Sequence, residues 1–253
     1  MVICITNQKG GISKTTTAMA LSDLFQKDGK RVVLIDADPQ GNATDTYGAK
    51  IEGEATLYDV LMERSFTDPF EAVQHTPLGD IIASDPLLRK TDEILSGEID
   101  GMFRLSDAVE KLKIGYDVIL IDTAPAINVL LYNCLVAADR LIIPVCADRY
   151  SIVGLSQLHE AVSAIQKRAN PSLQISGLLL TQYTDRTNLS RSAREALIED
   201  AESIGTKVFC STIRSCVKCK EAQAAKKHLS DYAPNCNTAV DYHDFFKEFI
   251  QEV

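Results

Sequence analysis

Residues 9–16 read Lys-Gly-Gly-Ile-Ser-Lys-Thr-Thr and directly follow a short apolar run, Val-Ile-Cys-Ile-Thr, at residues 2–6. Gly10 and Gly11 allow a tight backbone turn whose N–H groups point inward at a polyanion. An apolar strand, a glycine-rich loop and a helix in this order are typical of a phosphate-binding loop in an α/β protein. This stretch therefore predicts both the fold class and the position of an anion site.

The segment after Lys14 has the apolar spacing of an amphipathic helix, and Gly29 predicts its C-terminal end. The loop thus leads into a helix N-terminus, whose free amides and dipole favour an anion. The apolar face of this helix consists of Ala18, Leu21, Leu24 and Phe25.

The two lysines of the loop are expected to do different things. Lys14 should hold the β- and γ-phosphates of a nucleotide as a point charge, and the Thr15 hydroxyl should contact Mg²⁺. Lys9 is unlikely to share that task, because two ammonium groups on one phosphate must each lose water. Glycines also mark ordinary turns and lysines are usually solvated, but the order of the motif favours the phosphate loop. The nucleotide contacts predicted from the loop are Lys9, Gly10, Gly11, Ile12, Ser13, Lys14, Thr15 and Thr16.

Ser13 departs from the usual pattern G-x-x-x-x-G-K-[ST], which has glycine at this position. A Cβ atom must therefore fit where the backbone normally passes closest to the phosphate. This departure bears on nucleotide affinity and turnover.

Two further apolar runs, residues 31–35 and 116–121, each lead into a carboxylate. Their continuous hydrophobicity favours strands that are buried on both faces of a parallel sheet. Ligands of such sheets bind beyond the carboxyl ends of the strands, so Asp36, Asp38 and Asp122 should converge on the loop. One or two of these carboxylates can order the waters of Mg²⁺, for which we select Asp36 and Asp122, and another can position the water that attacks the γ-phosphate. Helix capping and turn formation are the alternatives for aspartates after strands.

Several segments resemble the ParA/MinD group of P-loop ATPases, in the order found in that family. Residues 9–16 are similar to its deviant Walker A box, K-G-G-x-x-K-[ST]. The other similar segments are residues 36–44 (D-x-D-P-Q-G-N-A-T), residues 117–125 (the Walker B strand), residues 179–181 (L-L-T) and residues 186–190 (R-T-N-L-S). The resemblance spans roughly residues 1–195.

The resemblance implies an ATPase that uses ATP and Mg²⁺ and hydrolyses ATP slowly without a partner. Lys9 matches the signature lysine that crosses a dimer interface to the nucleotide of the other subunit. Asp38 matches the switch aspartate linked to hydrolysis, Asp122 the Walker B aspartate near Mg²⁺, and Thr181 a position that contacts adenine. Lys9, Lys14, Asp38 and Asp122 are thus the predicted catalytic residues.

The chain has 253 residues and 45% hydrophobic content, enough for a single P-loop domain over residues 1–253. We predict a doubly wound, mostly parallel sheet flanked by helices. The predicted strands lie near residues 2–6, 31–35, 79–83, 116–121, 140–145, 174–181 and 207–213.

We expect a cytoplasmic protein. Met1 leads directly into the first predicted strand, which leaves no room for a leader or an N-terminal helix-turn-helix, and no apolar stretch approaches the ~20 residues that span a bilayer. Seven cysteines fit a reducing compartment. The pair Cys216 and Cys219 has the spacing of a metal or redox motif, but one pair is half of a tetrahedral site, so we expect plain surface cysteines.

The net charge of −9 argues against a generally nucleic-acid-coated protein, but basic residues concentrate in the last third of the chain. The short class of ParA proteins binds DNA non-specifically through residues in comparable positions, and contacts to phosphate of this kind depend strongly on salt. From this resemblance we select Arg186, Arg214, Lys218 and Lys220 as DNA contacts. Solvated helix faces are the alternative.

The resemblance further implies an ATP-bound homodimer, a ParB-like centromere-binding partner and association with the nucleoid. The alternatives are a MinD-like ATPase at a membrane surface and a relative that positions a non-DNA cargo. The polar residues of the C-terminal segment 241–252 are mostly acidic and would be repelled by anionic lipid. We therefore expect Phe245, Phe249 and Ile250 to pack on the domain.

Overall fold

The computed structural model describes residues 1–62, 68–146, 151–184 and 188–252, and only the backbone of residues 151–153 and 188–190. Within these residues the strands form one eight-stranded sheet in the order β3-β4-β2-β5-β1-β6-β7-β8. Each neighbouring pair is parallel except β3 and β4. The strands are β1 (Val2–Ile5), β2 (Val32–Ala37), β3 (Val73–Thr76), β4 (Gly79–Ile82), β5 (Val118–Thr123), β6 (Arg140–Val145), β7 (Gln174–Thr181) and β8 (Val208–Ile213).

Helices connect the parallel strands. They are α1 (Lys14–Lys27), α2 (Asn42–Tyr47), α3 (Leu57–Met62), α4 (Thr91–Leu95), α5 (Arg104–Leu112), α6 (Val129–Ala137), α7 (Ser151–Arg168), α8 (Asn188–Ser203), α9 (Val217–Ala224), α10 (Leu229–Tyr232) and α11 (Asn237–Ile250). A 3₁₀ helix, Pro86–Lys90, precedes α4. Helix α1 ends before Gly29, which has a positive φ of 81°, as the sequence predicts.

The central strands are apolar along most of their length because their alternate side chains enter two separate cores. Val2 and Cys4 of β1 pack in the core covered by α3, α5, α6 and α7. Ile3 and Ile5 pack in the opposite core, covered by α1 and α11. Both faces of the sheet are therefore covered by helices, and the predicted doubly wound α/β fold of the P-loop type is confirmed.

Strand β3 is not among the strands predicted from the sequence. Its residues are half-buried or exposed, and it pairs antiparallel with β4 at the edge of the sheet. Gly79 forms the connecting turn with a φ of 113°, which favours glycine. An edge strand without an apolar run gives little signal in the sequence.

Helix α11 packs against the sheet and α1. Phe245 and Phe249 are fully buried, and the ring of Phe246 meets that of Phe25 edge to face at 4.9 Å. The prediction that Phe245 and Phe249 pack on the domain is confirmed. The same prediction is wrong for Ile250, which is 37% exposed. Among the described residues, none of the helices has the length and apolar character needed to cross a bilayer.

Candidate functional site

The carboxyl ends of the central strands bring the predicted acidic residues to the loop after β1. Asp122 of β5 lies directly beside Asp36 of β2 on one side and beside Ile5 of β1 on the other. Asp38 follows β2 by one residue. Parallel strands end at the same edge of a sheet, which explains why residues far apart in the chain meet here.

The Asn7 side chain fixes the start of loop 6–13. The Asn7 amide donates to the Pro144 carbonyl at 2.8 Å, and its oxygen accepts from the Lys9 N–H at 3.1 Å. Gly11 has a φ of 73°, and no atom lies within 4 Å of a Cβ placed on Gly10 or Gly11. This open, donor-lined turn fits a phosphate chain.

Ser13 adopts the left-handed conformation, with φ 68° and ψ 24°, and its side chain makes no cap to α1. This conformation costs a residue with a Cβ roughly 1–2 kcal/mol. The departure from glycine noted in the sequence is therefore a point of backbone strain at the start of α1.

The Lys14 side chain is nearly buried, and its ammonium donates to the Lys9 carbonyl at 2.9 Å. Burial lowers the pKa of Lys14, while the nearby Asp122 and Asp38 oppose that shift. A partly desolvated ammonium gains most from an anion bound in the same cavity. Lys14 is thus placed for the phosphate contact that the sequence predicts.

Asp122 is fully buried, and neither of its oxygens accepts a hydrogen bond of ordinary geometry from the described residues. Burial and the neighbouring Asp36 raise its pKa well above the usual range, and the adjacent Thr15 hydroxyl offsets part of this shift. An uncompensated buried carboxylate beside a hydroxyl fits a Mg²⁺ site, since Mg²⁺ prefers oxygen ligands. Thr15 and Asp122 are therefore the residues that would hold the ion.

Asp36 differs from the prediction. One of its oxygens accepts from the N–H and the hydroxyl of Thr44, at 2.8 and 2.7 Å, and the other accepts from the Asp38 N–H at 3.2 Å. Burial raises the pKa of Asp36 to about 6. Both oxygens of Asp36 already accept hydrogen bonds. The residue is therefore better described as stabilising the loop after β2 than as a metal ligand.

Asp38 lies on the wall of the cavity beside the phosphate loop. Its carboxylate accepts from the Gln40 N–H at 2.9 Å, and its carbonyl accepts from the Ser84 hydroxyl at 2.6 Å. These contacts hold Asp38 beside the phosphate loop, with 7% of the residue still exposed. The role of Asp38 in hydrolysis stays a prediction. Its position on the cavity wall is compatible with that role.

The cavity beside the loop has a volume of about 560 Å³, within the usual range for small-molecule sites. Residues 10–16 of the loop line it, whereas Lys9 is absent from its lining residues. Its opposite wall comes from the C-terminal part of the chain: Arg214, Cys216, Cys219, Lys220, Gln223, Thr238 and Tyr242.

Thr181 is completely buried, and its hydroxyl donates to the Ile12 carbonyl at 3.0 Å. It is absent from the cavity lining, so the structure places it as a support for the loop rather than at an adenine contact. The next residue, Gln182, does line the cavity, and its amide donates to the Gly11 carbonyl at 2.5 Å.

The structure describes three of the four predicted DNA contacts, and two of these three are paired with carboxylates. Arg186 lies outside the described residues. Arg214 forms a bidentate pair with Asp241, which raises the pKa of the guanidinium, and Lys218 pairs with Glu221 at 2.7 Å. Lys220 is exposed and has no ion-pair partner in the described part of the chain.

Sequence reasoning missed three residues that shape the site. Asn7 ties the loop to β6, Gln182 contacts Gly11, and Tyr242 bonds through its hydroxyl to Thr17 at 3.0 Å. The position of Asn7 just before the motif could have identified it. Tyr242 lies 225 residues from Thr17, and no local pattern relates the two.

The chain is similar to known proteins over nearly its whole length. A family model described as an AAA domain matches residues 1–175. The chain is 38% identical over 250 residues to the sporulation initiation inhibitor protein Soj of Bacillus subtilis (strain 168), covering 98% of this chain and 97% of that protein. The chain belongs to the ParA/MinD family of P-loop ATPases.

Two further similarities agree with this family. The chain is 34% identical over 253 residues to the chromosome partitioning protein ParA of Caulobacter vibrioides (strain NA1000 / CB15N), covering 98% of this chain and 93% of that protein. It superposes with a TM-score of 0.85 and 26% identity on cobyrinic acid a,c-diamide synthase from Mycobacterium smegmatis with bound ADP and magnesium, covering 99% and 94% of the two chains. This ParA-type protein is an ATPase that uses ATP and Mg²⁺.

Proposed function

We propose that this ParA-type ATPase is a DNA partition switch, in which two ATP-bound subunits pair face to face and bind DNA without sequence preference. The observation that best supports this proposal is the different placement of the two lysines of the loop. Lys14 lines its own cavity and is bonded within its own loop, whereas Lys9 does not line that cavity.

Lys9 would act on the nucleotide of the other subunit. Its backbone is fixed on both sides, because its N–H donates to Asn7 and its carbonyl accepts the Lys14 ammonium. A cation supplied from the partner adds charge stabilisation to the phosphates only when the pair forms, as an arginine finger does. This would couple nucleotide binding to dimerisation.

Hydrolysis would use the carboxylates at the strand ends. Asp38 is held at the cavity wall by Gln40 and Ser84 and would orient the attacking water. Lys14 would hold the β- and γ-phosphates. Mg²⁺ bound at Thr15 and Asp122 would neutralise charge that develops on the phosphate oxygens.

DNA binding would depend on the dimer because pairing doubles the number of phosphate contacts. Lys220 supports this part of the proposal best, since Arg214 and Lys218 each share their charge with a carboxylate. A ParB-like partner would stimulate hydrolysis and release the DNA, and the protein would be cytoplasmic and associated with the nucleoid.

Light scattering with a non-hydrolysed ATP analogue and Mg²⁺ tests the trans role of Lys9. Lys9→Gln should bind nucleotide and remain a monomer, and Lys14→Gln should fail to bind nucleotide. The control is Lys30→Gln, an exposed lysine just beyond α1, which should dimerise like the parent protein. A Lys9→Gln protein that dimerises and hydrolyses ATP normally would refute this role.

Fluorescence anisotropy with duplexes of unrelated sequence tests DNA binding. The parent protein should bind them equally, only with ATP, and with an affinity that falls steeply as salt increases. Asp38→Ala should keep the dimer on DNA, because the dimer would form but not hydrolyse its ATP. Binding that is equally tight without nucleotide would exclude the switch.

The membrane alternative is disfavoured by helix α11. Its apolar residues Tyr242, Phe245 and Phe249 are buried in the core and are not available to lipid. A fluorescent fusion distinguishes the candidates, since a nucleoid-shaped signal supports partition, an outline of the cell supports membrane docking, and discrete bodies elsewhere support another cargo.

A further inference from the structure

An exposed apolar patch lies in α4 and in the turns that connect α4 to α5. Ile99 is completely exposed, and Ile94, Met102 and Phe103 each expose more than a third of their surface. These four residues are called the α4–α5 patch below. A single exposed apolar residue is ordinary, but four large ones in so short a segment are typical of an interaction surface.

Hydrogen bonds fix the segment that carries the patch. The Gly101 N–H donates to the Glu98 carbonyl at 3.2 Å and closes a turn around Ile99. Asn133 of α6 holds the next part of the segment, because its amide donates to the Gly101 carbonyl at 2.8 Å and its oxygen accepts from the Leu105 N–H at 3.1 Å. The exposure of the patch is therefore set by bonds to α6 and is not that of a loose loop.

The surroundings of the patch are acidic. Residues 91–103 contain no lysine or arginine and include four carboxylates: Asp92, Glu93, Glu98 and Asp100. The next residue, Arg104, is buried and pairs with Glu98 and Asp100. Over the longer range 85–104, which includes the preceding 3₁₀ helix, acids outnumber bases by five to three. The surface around the patch therefore has negative charge in excess.

This charge narrows the choice of occupant. The carboxylates would repel DNA and anionic lipid. A second copy of the chain placed patch to patch would bring two acidic surfaces together, which is unfavourable. A basic segment with apolar side chains would gain both from covering the patch and from approaching the carboxylates.

We propose that the α4–α5 patch is the docking surface for a basic amphipathic helix of a partner protein. The apolar face of that helix would cover Ile99, Met102 and Phe103, and its lysines or arginines would lie over Glu93 and the neighbouring carboxylates. Methionine is flexible and adapts its shape to an apolar partner. The proposal requires neither DNA binding nor the ATP-bound dimer, so it stands or falls separately from the partition proposal.

Fluorescence anisotropy of a labelled peptide tests the docking surface on the full chain without nucleotide. The probe is a helical peptide of leucine and lysine with its leucines on one face. One comparison peptide has glutamate in place of every lysine, and the other has serine in place of every leucine. The parent protein should bind the probe at least tenfold more tightly than either comparison peptide. The affinity should fall as salt increases, because charge contributes to it.

Two pairs of variants locate the binding site. Ile99→Ser combined with Phe103→Ser should lower the affinity at least tenfold, whereas Ile114→Ser, which removes an 80% exposed apolar side chain just after α5, should leave it unchanged. Glu93→Lys should lower the affinity severalfold. Asp28→Lys makes the same change in net charge at an exposed residue just after α1 and should leave the affinity unchanged.

A photoreactive leucine analogue in the probe locates the peptide directly, and the cross-links should map to residues 91–104. Melting of each variant by circular dichroism checks that it is folded. Equal binding of the glutamate peptide, an unchanged affinity of the double variant, equal losses in a variant and its control, or cross-links confined to other segments would each overturn the proposal. Light scattering of the nucleotide-free chain should report a monomer. A dimer that Ile99→Ser dissociates would show that the patch binds a second copy instead, and would also overturn the proposal.

Discussion

Asp122→Asn is expected to stabilise the nucleotide-free protein and to abolish ATP hydrolysis. The carboxylate is fully buried, lies beside Asp36 in the neighbouring strand, and has no hydrogen bond of ordinary geometry to lose within the described residues. Asparagine has nearly the same shape and carries no charge. Removal of the charge should therefore relieve repulsion without opening a cavity.

The expected change in the free energy of unfolding follows from the spacing of the strands. Neighbouring strands lie about 4.8 Å apart, and two charges roughly 5 Å apart repel by about 3 kcal/mol at an effective dielectric constant of about 20. Asp36 raises the pKa of Asp122 more than the Lys14 ammonium lowers it, so repulsion outweighs attraction at this carboxylate. Burial of an unpaired amide costs about 1–2 kcal/mol in return. The net gain should be about 1–2 kcal/mol near pH 8.

The gain should depend on pH. A buried acid with a raised pKa binds more protons in the folded than in the unfolded chain, so stability falls as the pH rises through that interval. For Asp36 the interval extends from about 4, the unfolded value, to about 6. Both carboxylates are protonated near pH 4, so the advantage of Asp122→Asn should disappear there.

Urea unfolding at pH 4 and pH 8 measures the stability, and phosphate release measures the activity. Asp117→Asn is the control just before the same strand, because Asp117 is an exposed partner of Arg31 whose loss should change stability little and leave turnover unchanged. If Asp122→Asn were less stable than the parent protein at pH 8, or equally active, the assignment of an uncompensated carboxylate at the Mg²⁺ site would be refuted.

Four further substitutions test the surrounding structure. Ser13→Gly should stabilise the protein by roughly 0.5 kcal/mol in thermal melts, because relief of the left-handed strain exceeds the entropy that glycine adds to the unfolded chain; destabilisation would contradict this conformation. Phe249→Ala should cost about 3–5 kcal/mol in urea unfolding because it empties a fully buried site, whereas Ile250→Ala should cost less than about 1 kcal/mol. Tyr242→Phe should cost about 1–2 kcal/mol by leaving the Thr17 hydroxyl without this partner, and an unchanged melting temperature would argue against the bond.

The sequence predicts the local parts of the site well. The apolar run of β1, the glycines of the loop and the start of α1 at Lys14 follow one another within the first 14 residues, so local pattern determines them. The approach of Asp36 to Asp122 follows from the rule that parallel strands end at one edge. These predictions need no knowledge of packing.

The remaining parts depend on side-chain directions and on distant contacts. Asp36 accepts hydrogen bonds from Thr44, eight residues on, which no strand pattern specifies. Thr181 points to the Ile12 carbonyl, across 169 residues. Tertiary packing determines these side-chain directions and distant contacts, and the periodicity of the sequence does not encode them.

The C-terminal wall of the cavity offers a short physical path from nucleotide to the proposed DNA surface. The Tyr242 hydroxyl bonds to Thr17 of α1 at 3.0 Å, and Arg214 is locked to Asp241, the residue before Tyr242. A shift of the phosphate loop on nucleotide binding would move the start of α1, and with it Tyr242 and the Arg214 pair. The proposed nucleotide-dependent DNA binding would therefore require no long relay, because Arg214 and Lys220 line the same cavity in which we propose that the phosphates bind.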